Sequence, residues 1–209
     1  MTNYNHMIQL LKNNKGITLV EVLVAIGIFT LIIGGITAML LFSWKSNKIV
    51  WEQLKTQNEG RKVIQDFTNE LRIAAASSIG SYVIESASSS QIIFYSDVDH
   101  DSLRDRIRYF FVTSTLKRGV VKPAGNPPAY NSSTEAVTDV AHDVVNASNT
   151  IFTYYDSSFV GSGSPLSSPI DVTKIRVVGI SLELEEDPQA SPVPFYIESK
   201  VVIRNLKDN

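Results

Sequence analysis

Cysteine is absent from this 209-residue chain. Disulfides, zinc-thiolate sites and thiol catalysis are therefore excluded. The absence does not fix a compartment, because an exported domain needs no disulfide. Histidine is scarce: His6, His100 and His142 are the only three, and they lie far apart. No His-Glu-x-x-His, Gly-x-Ser-x-Gly or phosphate-loop pattern occurs. The residues thus offer no catalytic centre, and His142-Asp143 reads as a loop pair. Net charge is only −2, so nothing global points to nucleic acid. Proline is missing from Ile17 to Ser78, and charge is nearly missing from Ile17 to Trp44, where Glu21 is the sole ionisable side chain.

Those two local absences define what is present. Ile17 to Trp44 is one apolar run, longer than the about 20 residues that cross a bilayer. It outruns the about 7–15 residues of a secretory signal core, and no Ala-x-Ala site directly follows it. Lys12 and Lys15 precede the run and Lys45 and Lys48 follow it, so charge leaves its orientation open. Glu21 is anomalous. An ionised side chain costs ~2.5–3.5 kcal/mol at mid-bilayer on insertion scales and less near an end. An acid kept there asks for a partner.

The junction Lys15-Gly16-Ile17-Thr18-Leu19-Val20-Glu21 resembles a type IV prepilin N-terminus, the class III signal. The resemblance implies that a prepilin peptidase cuts between Gly16 and Ile17 and N-methylates Ile17. It also implies that Glu21 acts in assembly, pairing with the new amino group of a neighbouring subunit. Two departures stand out. Ile17 occupies a position that is most often Phe, and no proline lies near Ala38, only Gly34-Gly35 slightly earlier.

The apolar run enters an amphipathic segment without a turn signal. Ile64, Phe67, Leu71 and Ala74 recur on one helical face, with Arg61, Asp66, Glu70 and Arg72 mostly off it. One helix of about 60 residues is expected, roughly 90 Å long. Gly60 is a weak point in it, at about 1 kcal/mol relative to Ala. Trp44 falls where the helix would leave lipid. The small residues Ala25, Gly27, Gly34, Gly35 and Ala38 would let like helices approach closely.

Beyond Ser78 the pattern changes to short β-type runs. Strands are expected at 81–86, 91–95, 106–115, 116–121, 150–156, 172–186 and 194–206. Ile107, Tyr109 and Phe111 alternate with Arg106, Arg108 and Phe110, so one face should be buried against the helix. The Pro- and Asn/Ser-rich tract 122–149 reads as loop, with no central strand over most of it. The fold class expected is α+β, with a long N-terminal helix packed on antiparallel sheet. The expected organisation is a leader at 1–16, an apolar helix at 17–44, an amphipathic helix half at 45–78 and a β-rich head at 79–209. The strand phrases are similar to those of a minor pilin or minor pseudopilin of the PilW/GspJ kind. That likeness implies a subunit at or near a filament tip, with other pilins, the prepilin peptidase and the cytoplasmic membrane as partners, and an extracytoplasmic head. The alternative is a single-pass, membrane-tethered binding module that never assembles.

Two further clusters lie in the head. Asp97, Asp99, Asp101 and Asp105 fall at positions 1, 3, 5 and 9 of a calcium-loop pattern. Ser102 stands where the turn glycine belongs, and Arg108 where a bidentate Glu belongs. The other reading is a solvated hairpin turn, where Asp side chains bond the backbone. No other cofactor is expected. Arg104, Arg106, Arg108, Lys117, Arg118 and Lys122 could form a basic patch for DNA. Alternating Arg is the usual wet face of a strand, however, and the interleaved aspartates weaken the field. Nucleic acid is therefore not an expected partner. The sequons at Asn131 and Asn146 are short enough to arise by chance.

Overall fold

The computed structural model describes residues 16–186 and 193–206. Of the expected leader, only Gly16 falls within the described residues, so Lys12, Lys15 and His6 lie outside them. The chain divides into two compact units, 1–48 and 49–209.

Helix α1 is Leu19–Arg72, 54 residues without a break. Its start follows from Thr18, whose Oγ1 accepts the Glu21 N–H at 3.3 Å and whose carbonyl accepts Val22 N–H at 3.2 Å. This is N-capping: a hydroxyl satisfies one of the donors that an initial turn leaves free. Every residue from Gly16 to Lys48 is exposed. The helix buries a different stretch, with Gly60, Val63, Phe67 and Leu71 forming its inner stripe.

The helix ends at Arg72, not at 78 as the continued pattern suggests. Ala74 N–H still reaches the Leu71 carbonyl at 3.2 Å, but Ala75 N–H bonds the Tyr95 carbonyl at 3.0 Å. Asn205 Nδ2 takes the Ala74 carbonyl at 2.7 Å. The alanines are good helix formers, but their backbone groups find partners in the sheet and in the C-terminal turn. Tertiary bonding overrides propensity here.

Two antiparallel sheets complete the second unit. The first is a meander of β1 (Ile84–Ala87), β2 (Gln91–Ser96), β3 (Asp105–Val112), β4 (Thr115–Val121) and β5 (Ala136–Ala141), in that spatial order. The second holds β6 (Phe152–Tyr155), β7 (Val177–Leu184) and β8 (Phe195–Val202), with β7 central. β5 lies in the tract read as loop. It occupies a sheet edge and its first four residues are exposed, so it offers little apolar alternation to detect. The expected strands 172–186 and 194–206 are also shortened. Asp171 Oδ1 caps a short 3-10 turn over Val172–Lys174, and a second such turn covers Arg204–Leu206. The boundary expected between 115 and 116 falls instead at Thr113-Ser114, where Thr113 takes a positive φ of 59° and Val112 pairs with Thr115.

The core joins α1 to both sheets. The Phe67 ring is edge-on to Tyr109 at 5.1 Å and to Phe94 at 6.2 Å in the first sheet, and lies 5.6 Å from Phe152 in the second. Ile107 and Tyr109 are fully buried, as the alternation in β3 requires. Gly60 is a close-approach position. A Cβ there would stand 2.9 Å from Leu184 Cδ1 and 3.3 Å from Phe195 Cε1. The glycine weakens the helix locally but lets it lie on the second sheet.

Candidate functional site

The N-terminal site comprises Gly16, Ile17, Thr18 and Glu21 at the start of α1. Gly16 has no positive φ, and no described atom lies within 4 Å of where its Cβ would stand. Neither backbone conformation nor packing within the chain requires glycine here. Ile17 is 73% exposed. Glu21 falls at the third helical position, exposed among Val20, Leu23 and Val24. Thr18 and Glu21 have the Ser/Thr-x-x-Glu spacing of a capping box. A carboxylate in a first helical turn also gains about 0.3–1 kcal/mol from the helix dipole. That local role was legible in the spacing before an apolar run. It explains an acid at the helix start, though not why that start is embedded in oily sequence.

Between Val22 and Phe42 the apolar segment presents no free hydroxyl. Between Val22 and Phe42 the only polar side chains are Thr30 and Thr37. Thr30 Oγ1 donates to the Ile26 carbonyl at 2.5 Å, and Thr37 Oγ1 to the Ile33 carbonyl at 2.8 Å. Their donors are satisfied within the helix, which suits a lipid surround. Among the described residues this is the one helix long and apolar enough to cross a membrane.

A prokaryotic N-terminal methylation motif matches residues 11–37. The chain is type IV prepilin-like. The match spans Gly16, Ile17 and Glu21 and stops before the second unit. No curated protein matches the sequence. The antiparallel sheets packed on α1 give an α+β pilin-like fold, and the apolar part of α1 fits single-pass membrane anchoring.

Arg104, Arg106, Arg108, Lys117, Arg118 and Lys122 do not make a basic surface. Arg106 forms a two-pronged pair with Glu85, both contacts at 2.7 Å. Arg108 pairs with Glu135 at 2.8 and 2.5 Å, across Gly119, where a Cβ would collide with the carboxylate. Arg118 pairs with Glu70 at 2.6 Å, and Lys117 with Asp139 at 2.7 Å. Lys122 contacts Asp99, and Arg104 lies 4.0 Å from Asp97. Each cation stands beside an acid, so little surplus field remains. Asp97 and Asp99 are the interleaved aspartates of the sequence, whereas spacing did not reveal Glu85, Glu135, Glu70 and Asp139, which come from β1, the turn before β5, α1 and β5.

The environment of these pairs shifts several groups. The Arg106 guanidinium holds Glu85 below its ordinary value, with a hydrogen bond from Tyr95 assisting against partial burial. Burial and the Glu85 carboxylate push Tyr95 up to about 12. Burial raises Glu70 although Arg118 and Tyr109 both donate to it. His142 is a clamp onto α1: Glu59 Oε1 receives its backbone N–H at 3.0 Å and lies 2.7 Å from Nδ1.

The acidic residues sit in and beside the loop 97–104, which closes the β2–β3 hairpin. Carboxylate oxygens of Asp97, Asp99 and Asp101 lie within 4.8 Å of one another. Asp105 is separate in kind: it opens β3, pairs across the ladder with Ser96 and is 1% exposed. Arg108, three residues on, faces Ile93 and is held by Glu135. It takes no part in the loop.

Proposed function

We propose that the chain is a minor pilin or pseudopilin, a structural subunit that primes or caps a type IV pilus, a type II secretion pseudopilus or a DNA-uptake pseudopilus. The methylation motif over 11–37 supports the reading, with Gly16 and Glu21 within it at the start of an exposed apolar helix. Before assembly the segment from Ile17 to about Trp44 sits in the cytoplasmic membrane with the head outside. A prepilin peptidase removes 1–16. The helix then exchanges lipid for a bundle of like helices, a transfer driven by close packing at small residues and by polar contacts. The free amino group at Ile17 of one subunit pairs with Glu21 of another. Pairing removes the penalty of two isolated buried charges, while a wrong register leaves them unpaired. The role is structural, and its partners are other pilins and the peptidase.

The test is intact mass and N-terminal sequencing after co-expression with a prepilin peptidase. The expected product begins at N-methylated Ile17. A chain still beginning at Met1, where a known prepilin is cut, would overturn the reading and leave a tethered binding module.

A further inference from the structure

The two sheets have β1, β5, β6 and β8 at their edges, and the first three are closed to regular pairing. β1 and β5 each carry one extra residue, Glu85 and Val140, that shifts the register against the neighbouring strand. Such bulges turn an edge away from a regular ladder. The outward backbone groups of β6 are used within the fold. Phe152 N–H bonds the Ser89 carbonyl at 2.9 Å, and the Tyr154 carbonyl accepts Leu166 N–H at 2.7 Å. β8 differs from all three. It runs in unbroken register with β7 from Phe195 to Val202 and contains no proline.

Backbone groups alternate sides along a strand. Ile203 N–H bonds the Arg176 carbonyl at 3.1 Å, on the β7 side. The odd-numbered residues of β8 therefore face β7, and Tyr196, Glu198, Lys200 and Val202 direct their N–H and C=O groups outward. Those groups have no backbone partner among the described residues. The same four residues carry the exposed side chains of the strand. Along the strand Glu198 contacts both Tyr196 and Lys200. A lone edge lysine keeps a second strand away. With Glu198 two residues before it, the row is apolar, acidic, basic, apolar, and is its own complement when read in reverse.

We propose that β8 pairs antiparallel with β8 of a second copy of this chain, about a two-fold axis at Ser199. Tyr196 then lies opposite the partner's Val202, and Glu198 opposite the partner's Lys200. The outward backbone groups of each pair meet, so the two three-stranded sheets join into one. Opposite-charge and aromatic–β-branched cross-strand pairs are both stabilising. The charges also select the register. Moving the axis to Glu198 or to Lys200 sets that residue against its own copy, and like charges directly opposite are destabilising. Moving it to Ile197 or Val201 shortens the overlap and leaves Lys200 without an opposing acid. An interface one strand wide falls in the small, transient class, so covalent trapping is the suitable readout.

The experiment exploits the absence of cysteine. The full chain carrying Ser199→Cys is oxidised in membranes with copper–phenanthroline. Opposed residues of a non-hydrogen-bonded antiparallel pair stand about 4.5 Å apart, within disulfide reach. A disulfide-linked product of twice the chain's mass is expected. Tyr196→Cys should remain single, because the two copies of that residue would stand about 20 Å apart along the strands. In the Ser199→Cys background, Glu198→Lys should lower cross-linking about tenfold. Adding Lys200→Glu should restore it, a recovery that a folding defect would not produce. Circular dichroism checks that each variant is folded. No dimer from Ser199→Cys, equal cross-linking from Tyr196→Cys, indifference to Glu198→Lys, or no recovery in the double reversal would each overturn the proposal. So would a product whose mass shows a different chain on the edge. The measurement needs neither cleavage nor assembly, so its outcome is independent of the filament role.

Discussion

At the residue scale, Glu21 has two jobs that one substitution can separate. Gln keeps the capping-box pattern with Thr18 and removes the charge, whereas Ala removes both. If pairing with a neighbour's amino group sets register, Glu21→Gln and Glu21→Ala should both be cleaved yet fail to enter filaments. Filament incorporation of Glu21→Gln at the wild-type level would reduce the acid to a helix cap. Glu85 gives a pH prediction. Its folded pKa is depressed by Arg106, so its contribution is complete above the ordinary carboxylate value and is lost as pH falls through the folded one. Its side chain is 35% exposed, which limits the effect to about 1 kcal/mol or less. Thermal melts should show Glu85→Gln less stable than wild type at neutral pH, with the gap closing in acid below the depressed value. A gap that stays constant down to the acid range would assign the loss to packing.

At the element scale, α1 is two different objects in one helix. Its first part is exposed along its length among the described residues, so capping and propensity are what the chain supplies there. Its later part is held by the stripe Gly60, Val63, Phe67 and Leu71. Phe67 touches aromatic rings of both sheets, so Phe67→Ala should cost about 3–5 kcal/mol, as large core truncations do. Gly60→Val should destabilise by about 1–3 kcal/mol through overpacking against Leu184 and Phe195. Thermal denaturation followed by circular dichroism measures both. A Gly60→Val melt at or above wild type would mean that those side-chain tips yield freely. The elements also show where pattern reading stops. β3 was legible because Ile107 and Tyr109 face a core while their neighbours face water. β5 was not, since four of its six residues are exposed at an edge. The end of α1 was misplaced because Ala74 and Ala75 have helical propensity, but Ala75 N–H bonds Tyr95 of β2 and the Ala74 carbonyl accepts from Asn205.

At the scale of the whole molecule, the absence of cysteine becomes a tool. Val160 is 90% exposed in a Gly/Ser/Pro loop of the second unit. A Val160→Cys variant would carry the chain's single thiol. With the head outside the cytoplasmic membrane, a membrane-impermeant maleimide should label it in intact spheroplasts as fully as after lysis. Labelling only after lysis would invert the topology. The same scale explains why a DNA-binding head is not favoured. Six basic residues that look like a patch along the chain are each placed beside an acid by the fold.

The sequence by itself determined the features that depend on local order. These are the junction at Gly16 and Ile17, the apolar run, the acid four residues past the junction and the alternation of the buried strands. Each is written in nearest neighbours or in a period of 2 or 3.6, and needs no distant partner to be read. Tertiary structure alone decided that Gly60 is a packing requirement, that the arginines are paired and that β5 is a strand. It also decided that Asp105 is buried at the first position of β3. Those features arise when residues far apart in sequence share a dry contact, and neither spacing nor composition encodes which contacts those are.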